Sequence, residues 1–188
     1  SREDYRNKMN SEMLQHWEKL FPGCFVLPEG GTNALAVKGC AEILEPDDHS
    51  FDVVCTAVGT GGTMAGLIEG AGEGQKVLGF PALKGDFLKH EIARLTNGRQ
   101  WDLITDYHFG GYARVDRSLI DFINIFKQKT GIPLDPVYTG KMMYGICDLA
   151  EKGYFKPGTR ILAIHTGGLQ GIKGMNEYLK RKKLPLIQ

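Results

Sequence analysis

Apolar residues recur along this 188-residue chain in two alternating rhythms. Short solid runs, Cys24 to Leu27, Phe51 to Val58, Lys76 to Phe80, Trp101 to Thr105 and Arg160 to His165, are bounded by Gly, Pro or Asp and read as buried strands. Between them lie stretches at helical spacing. Met9 to Leu20 is one, and a second carries Ala34, Val37, Ala41 and Leu44 on one face behind a cap at Thr32 or Asn33. Met64 to Glu69, Lys84 to Leu95, Asp116 to Lys129, Met142 to Lys152 and Leu169 to Lys182 follow. The clearest is Asp116 to Lys129, with Leu119, Phe122, Ile123 and Phe126 on one side. Strand-helix alternation of this kind predicts an α/β fold, a parallel sheet with helices on both faces.

Composition narrows the class. The chain is 42% hydrophobic and 24% charged with a net charge of +1, which gives no global attraction to nucleic acid, anionic membrane or acidic polymer. No apolar run reaches the ~20 residues of a membrane span, and Ser1 to Lys8 are too polar for a signal peptide. Cys24, Cys40, Cys55 and Cys147 lie far apart, which argues against a metal site or disulfide framework and for buried free thiols in the cytoplasm. The basic run Lys180 to Lys183 reads as solvated cations at a helix C-terminus. Twenty-five glycines are the one excess, and glycine supplies tight turns and close backbone approach to a ligand.

The richest glycine segment, Val58-Gly59-Thr60-Gly61-Gly62-Thr63-Met64-Ala65-Gly66, joins a strand to a helix. Backbone N–H groups and a helix N-terminus meet there, the usual makings of an anion site. A nucleotide-triphosphate loop is excluded because Gly66 is followed by Leu67 rather than Lys. A dinucleotide fingerprint fails because Met64 stands at the third glycine position, and Gly79-Phe80-Pro81-Ala82 offers no acid for a ribose. A non-catalytic phosphate-ligand binding domain, a sugar-phosphate or nucleotide enzyme with a similar turn, and a purely structural domain remain as alternatives. Gly167-Gly168, at a second strand end, speaks against the last of these.

Four segments together resemble one family. Gly59-Thr60-Gly61-Gly62-Thr63 is similar to the phosphate cup of pyridoxal 5′-phosphate (PLP) enzymes of the tryptophan-synthase β type. Leu27-Pro28-Glu29-Gly30-Gly31-Thr32-Asn33, Asp135-Pro136-Val137-Tyr138-Thr139-Gly140-Lys141 and Ile164-His165-Thr166-Gly167-Gly168 resemble, in the same order, the 1-aminocyclopropane-1-carboxylate (ACC) deaminase and D-cysteine desulfhydrase family. The resemblance implies PLP as cofactor, with its phosphate in Gly59, Thr60, Gly61, Gly62 and Thr63. It implies Thr166 against the pyridine nitrogen, Thr139 beside the cofactor, and Tyr138 and Tyr112 as the two active-site tyrosines.

The resemblance also implies a substrate. ACC deaminases carry a glutamate after the D-P-V-Y tyrosine and a leucine before the last Gly-Gly, where this chain has Thr139 and Thr166. That pair resembles the desulfhydrase branch, so β-elimination from a D-amino acid is expected first and cyclopropane ring opening second. A homodimer acting on a small amino acid is implied. So is a division at residue 45, with 1–45 the remainder of a smaller domain and crossover and 46–188 the large PLP-binding domain. The Schiff-base lysine of the family has no match here. Lys38 and Lys84 read as solvated surface, and Lys141 falls at a glycine-lysine helix start. The expectation is therefore that the lysine belongs to an N-terminal segment preceding Ser1, that the 188 residues alone have no turnover, and that an apolar face is exposed where that segment docks.

Overall fold

The structure, a computed structural model, describes Asp4, Asn7, Lys8, and residues 10–98 and 100–188. Four parallel strands make one sheet in the order β3-β2-β1-β4. They are β1 (Val53–Val58), β2 (Lys76–Pro81), β3 (Trp101–Leu103) and β4 (Ile161–Ile164). In the register, Val54 lies beside Val77 and Leu162, and Gly79 beside Leu103. Central β1 is buried along its whole length, as its near-continuous apolar sequence requires in a sheet covered on both sides.

Alternation along β1 sorts the two faces. Val54 and Val58 join Met64, Leu67 and Ile68 of α3 (Gly62–Gly70) and Leu88 and Ile92 of α4 (Phe87–Leu95). Val53, Cys55 and Ala57 turn the other way, onto Met142 and Ile146 of α6 (Thr139–Glu151). A third cluster lies outside this layer. Leu119, Ile120 and Ile123 of α5 (Arg117–Thr130) pack with Met175 and Leu179 of α7 (Gly171–Lys182). Complete burial of each such side chain stabilises by about 1.5–3 kcal/mol before chain entropy is counted. Lys180, Arg181 and Lys182 occupy the last turn of α7, where cations complement the helix dipole.

Two short helices lead into the sheet, α1 (Ser11–Leu20) and α2 (Ala34–Ala41). Asn10 caps α1, and Met9, read as its start, lies outside the described residues. Asn33, not Thr32, caps α2, its Oδ1 accepting from Ala36 N–H at 2.9 Å. The helix ends at Ala41, and Leu44 reaches the core from the turn beyond it. Cys24 to Leu27 is a correction: it forms no strand, because no other described strand lies beside it to pair its backbone. Phe25 and Leu27 face solvent, 71% and 70% exposed. Cys24 is exposed too, and only Cys55 of the four free thiols is fully buried.

The boundary expected after residue 45 falls at the turn Pro46–Ser50, yet α2 on its near side packs closely on α3 beyond it. Gly66 makes that crossing tight. A Cβ there would meet Cys40 Cβ and stand 2.6 Å from the Val37 carbonyl oxygen. Gly66→Ala is therefore expected to cost about 1–3 kcal/mol by overpacking, lowering the thermal midpoint by roughly 3–10 °C. An unchanged midpoint in calorimetry would contradict so close a crossing.

Candidate active site

The C-terminal ends of β1 and β4, neighbours in the sheet, open into one cavity of about 860 Å³. Open α/β sheets place their ligands at these strand ends, because the following loops diverge there. Gly59 to Thr63, which follow β1, form one wall, and Thr166 to Gly168, which follow β4, form another. Tyr112, Asp135 and Tyr138 face them, and Glu29, Gly30 and Thr32 close the remaining side.

The glycine loop is shaped by what surrounds it. Gly61 takes φ +96°, a left-handed conformation that glycine adopts without steric cost, and a Cβ on it would stand 2.7 Å from Ile92 Cγ1. It caps α3, whose first helical hydrogen bond runs from Ala65 N–H to the Gly61 carbonyl at 2.9 Å. The N–H groups of Gly62, Thr63 and Met64 precede that bond and have no partner within the helix. Thr32 and Thr60 share a hydrogen bond of 2.6 Å between their hydroxyls, pinning the Glu29–Gly31 turn onto the loop. Tyr138 lies over Gly59, so a Cβ there would meet its ring at 3.3 Å.

Opposite, Asp135 organises the start of α6. It is 2% exposed, and its carboxylate accepts from the N–H groups of Val137 (2.8 Å), Tyr138 (2.9 Å) and Thr139 (2.7 Å) and from the Thr139 hydroxyl (2.7 Å). Its Cγ also sits 3.1 Å from where a Gly168 side chain would begin, so glycine is needed for the two cavity walls to meet. His165 holds the β4 turn from behind. Its Nε2 lies 2.9 Å from the Pro133 carbonyl, which can only accept, so Nε2 carries the proton. Its Nδ1 then accepts from Gly167 N–H at 3.1 Å.

Tyr112 and Tyr138 meet edge to face with centroids 6.1 Å apart. Burial pushes the Tyr138 phenol up to about 12, with Tyr112, Asp135 and Glu29 adding to the effect. Tyr138 is therefore protonated at neutral pH. Tyr107, hydrogen-bonded to Asp148, is likewise held at about 12, and burial lifts the Cys55 thiol from 9.0 to about 12. Keeping these three groups neutral stabilises the fold below their ordinary ranges, and that contribution is lost as pH climbs through the folded values. Lys141, lowered from 10.5 to about 8 by burial, acts oppositely but is neutral in both states above about 10.5. Stability is therefore expected to fall between about pH 10.5 and 12 in denaturant titrations, and a rise across that window would contradict these assignments.

Most of the residues singled out in the sequence converge here. Gly59, Thr60, Gly61, Gly62, Thr63, Tyr112, Tyr138 and Thr166 all line the cavity. Thr139 does not. It is fully buried beneath Asp135, to which its hydroxyl donates while also accepting from Asp135 N–H at 3.0 Å, so it bears on the cavity only through that carboxylate. Lys38 and Lys84 are exposed, Lys141 is tied elsewhere, and no lysine is among the described residues lining the cavity. Glu29, Gly30, Thr32, Asp135 and Gly168 line it without having been assigned a role there from sequence.

Strand ends, a glycine-capped helix and facing phenols surround one cavity of an α/β fold. The chain belongs to the pyridoxal-phosphate dependent enzyme family, whose profile matches residues 2–167. It is 33% identical to the mitochondrial bifunctional D-cysteine desulfhydrase/1-aminocyclopropane-1-carboxylate deaminase of Arabidopsis thaliana, over 92% of this chain and 49% of that one. It is 30% identical to a 1-aminocyclopropane-1-carboxylate deaminase of Burkholderia cenocepacia, over 82% of this chain and 51% of that one. The chain spans about half the length of these curated relatives. A crystal structure of an ACC deaminase homologue superimposes with a TM-score of 0.79 at 30% identity, covering 95% of this chain and 59% of that one. Among the described residues no helix is long and apolar enough to cross a membrane.

Proposed function

We propose that the cavity binds PLP and that the protein is a PLP-dependent deaminase or lyase of small amino acids. The observation that carries this reading is the placement of the glycine loop and Thr166 on adjacent strand ends, facing Tyr112 and Tyr138 across one cavity. The residues present suit the group. Unpaired N–H groups of Gly62 and Thr63 and the hydroxyls of Thr60 and Thr63 are donors for a phosphate. Gly59 and Gly61 leave the backbone bare where any side chain would meet Tyr138 or Ile92. No cation is required, because the helix N-terminus supplies the positive end of a dipole.

When bound, PLP supplies an electron sink for chemistry at the α-carbon of an amino acid. The chain's own residues do the rest. Thr166 offers a hydroxyl to the ring nitrogen, a partner that cannot hold that nitrogen protonated as a carboxylate would. Tyr138, protonated at neutral pH, donates toward the reacting carbon or the departing group. Tyr112, 59% exposed, stands at the solvent side of the same pair. Asp135 orients Tyr138 by holding its backbone N–H, and takes no part in proton transfer because its lone pairs are already engaged by four donors.

For the substrate, D-cysteine is our first reading: β-elimination would give pyruvate, sulfide and ammonia. Thr139 and Thr166 at the two positions that differ between the branches support it. ACC ring opening to 2-oxobutanoate and ammonia is the second reading, supported by the Burkholderia relative's name. The two are separated by assaying the full-length protein on both compounds side by side. Sulfide from D-cysteine supports the first reading, and 2-oxobutanoate from ACC without sulfide overturns it.

A further inference from the structure

After the 3₁₀ turn Thr105–Tyr107 at the sheet edge, an irregular loop up to Asp116 carries Tyr112 to the cavity. Four of its five residues from Phe109 to Ala113 have positive φ: Phe109 (52°), Gly110 (93°), Gly111 (118°) and Ala113 (53°). Left-handed backbone costs a non-glycine residue roughly 1–2 kcal/mol, so Phe109 and Ala113 hold it only because something else over-determines the loop. Its own bonds are few. Gly111 N–H donates to the His108 carbonyl (3.0 Å), Arg114 N–H to the Gly111 carbonyl (3.1 Å) and Gly110 N–H to His108 Nδ1 (2.8 Å).

The same two carbonyls receive a further donor from another element. Lys141, on the first turn of α6, is 1% exposed, and its ammonium donates to the His108 carbonyl at 2.9 Å and the Gly111 carbonyl at 2.8 Å. A lysine is almost never buried so fully without a partner, since the charge must leave water. Its compensation is these two carbonyls and the field of nearby Asp135. Lys141 stands three residues after Tyr138 on the chain, while the loop it grips carries Tyr112. One ammonium thus ties together the two segments whose phenols meet edge to face over Gly59.

We propose that Lys141 is a positioning residue whose ammonium clamps the His108–Gly111 turn to α6 and so sets Tyr112 against Tyr138. The clamp itself stands on geometry alone; only its consequence for turnover rests on the PLP reading.

The test uses Lys141→Met and Lys141→Arg in the full-length protein, each alone and combined with Tyr112→Phe. Trypsin cleavage after exposed Arg114, followed by mass spectrometry, reads the loop without any cofactor. Lys141→Met should accelerate that cleavage about ten- to a hundredfold over wild type, because proteolysis follows the open population, while Lys141→Arg, which keeps a charged donor, should restore most of the protection. Unchanged cleavage in Lys141→Met overturns the clamp. For the consequence, Lys141→Met should lower kcat in the wild-type background and have little further effect once Tyr112 is phenylalanine. Equal losses in both backgrounds would overturn action through Tyr112. If the protein turns over neither amino acid, the PLP reading has failed and the cleavage result still decides the clamp. Should Lys141→Met fail to fold, ¹H–¹⁵N spectra of the wild type decide it. A slowly exchanging ammonium signal that disappears in Lys141→Arg supports the clamp, and an ammonium exchanging freely with water overturns it.

Discussion

Replacing Asp135 by alanine is expected to lower the unfolding midpoint by roughly 10 °C, the largest loss from any single side chain bordering the cavity. The carboxylate accepts four hydrogen bonds while only 2% exposed. Its removal leaves three backbone N–H groups at the start of α6 without the acceptor that orders them, and removes the negative charge that favours the buried Lys141 ammonium. Each buried N–H group left without an acceptor costs about 1–3 kcal/mol. Asp135→Asn separates the contributions. Its Oδ1 can still accept from Val137 and Tyr138, but an amide NH₂ would face Thr139 N–H, so a smaller loss of about 1–3 kcal/mol is expected. Calorimetry on both variants checks the order. If alanine proves no worse than asparagine, the carboxylate is not organising this turn.

The second large effect is expected at Gly61, and it falls on ligand binding as well as on the fold. Gly61→Ala combines a left-handed backbone, about 1–2 kcal/mol for any other residue, with overpacking against buried Ile92, about 1–3 kcal/mol. Neither cost can be met without moving the turn that aims Gly62 and Thr63 N–H groups into the cavity. PLP affinity should therefore fall about ten- to a hundredfold even in protein that remains folded at assay temperature. Fluorescence titration with PLP measures this. Undiminished affinity would mean that the phosphate is held somewhere other than this loop.

Much of this arrangement was legible in the chain because it is local. The apolar run ending at Val58, the glycines that follow and the helical spacing after them are one continuous signal, and β1, the loop and α3 follow it closely. The four strands with partners were all readable from their runs. Cys24 to Leu27 has the same local composition, but a strand needs a neighbour, and composition carries no information about neighbours. The same limit hid Thr32, whose bond to Thr60 spans 28 residues.

Thr139 lies away from the cavity surface. Its position beside Tyr138 suggested a place at the cofactor, yet adjacent residues at a helix start point in different directions, and Asp135 draws the hydroxyl inward. Tyr138 lines the cavity as a residue the sequence singled out, but its raised pKa has no local signal. Burial dominates that shift, and Tyr112 and Glu29, distant in the chain, raise it further by charge and hydrogen bonding. Lys141 looked like the start of a helix from sequence, and only the tertiary structure brings His108 and Gly111 to its ammonium.

In the proposed function, a phosphate held by Gly59 to Thr63 anchors the cofactor. The most direct measurement is a parallel equilibrium titration of the full-length protein with PLP and with pyridoxal, which lacks the phosphate, repeated with inorganic phosphate as competitor. PLP is expected to bind at least about a hundredfold more tightly than pyridoxal, inorganic phosphate to weaken PLP binding, and Gly61→Ala to narrow the difference. Equal affinities for PLP and pyridoxal, or PLP binding indifferent to inorganic phosphate and to Gly61→Ala, would contradict this anchoring.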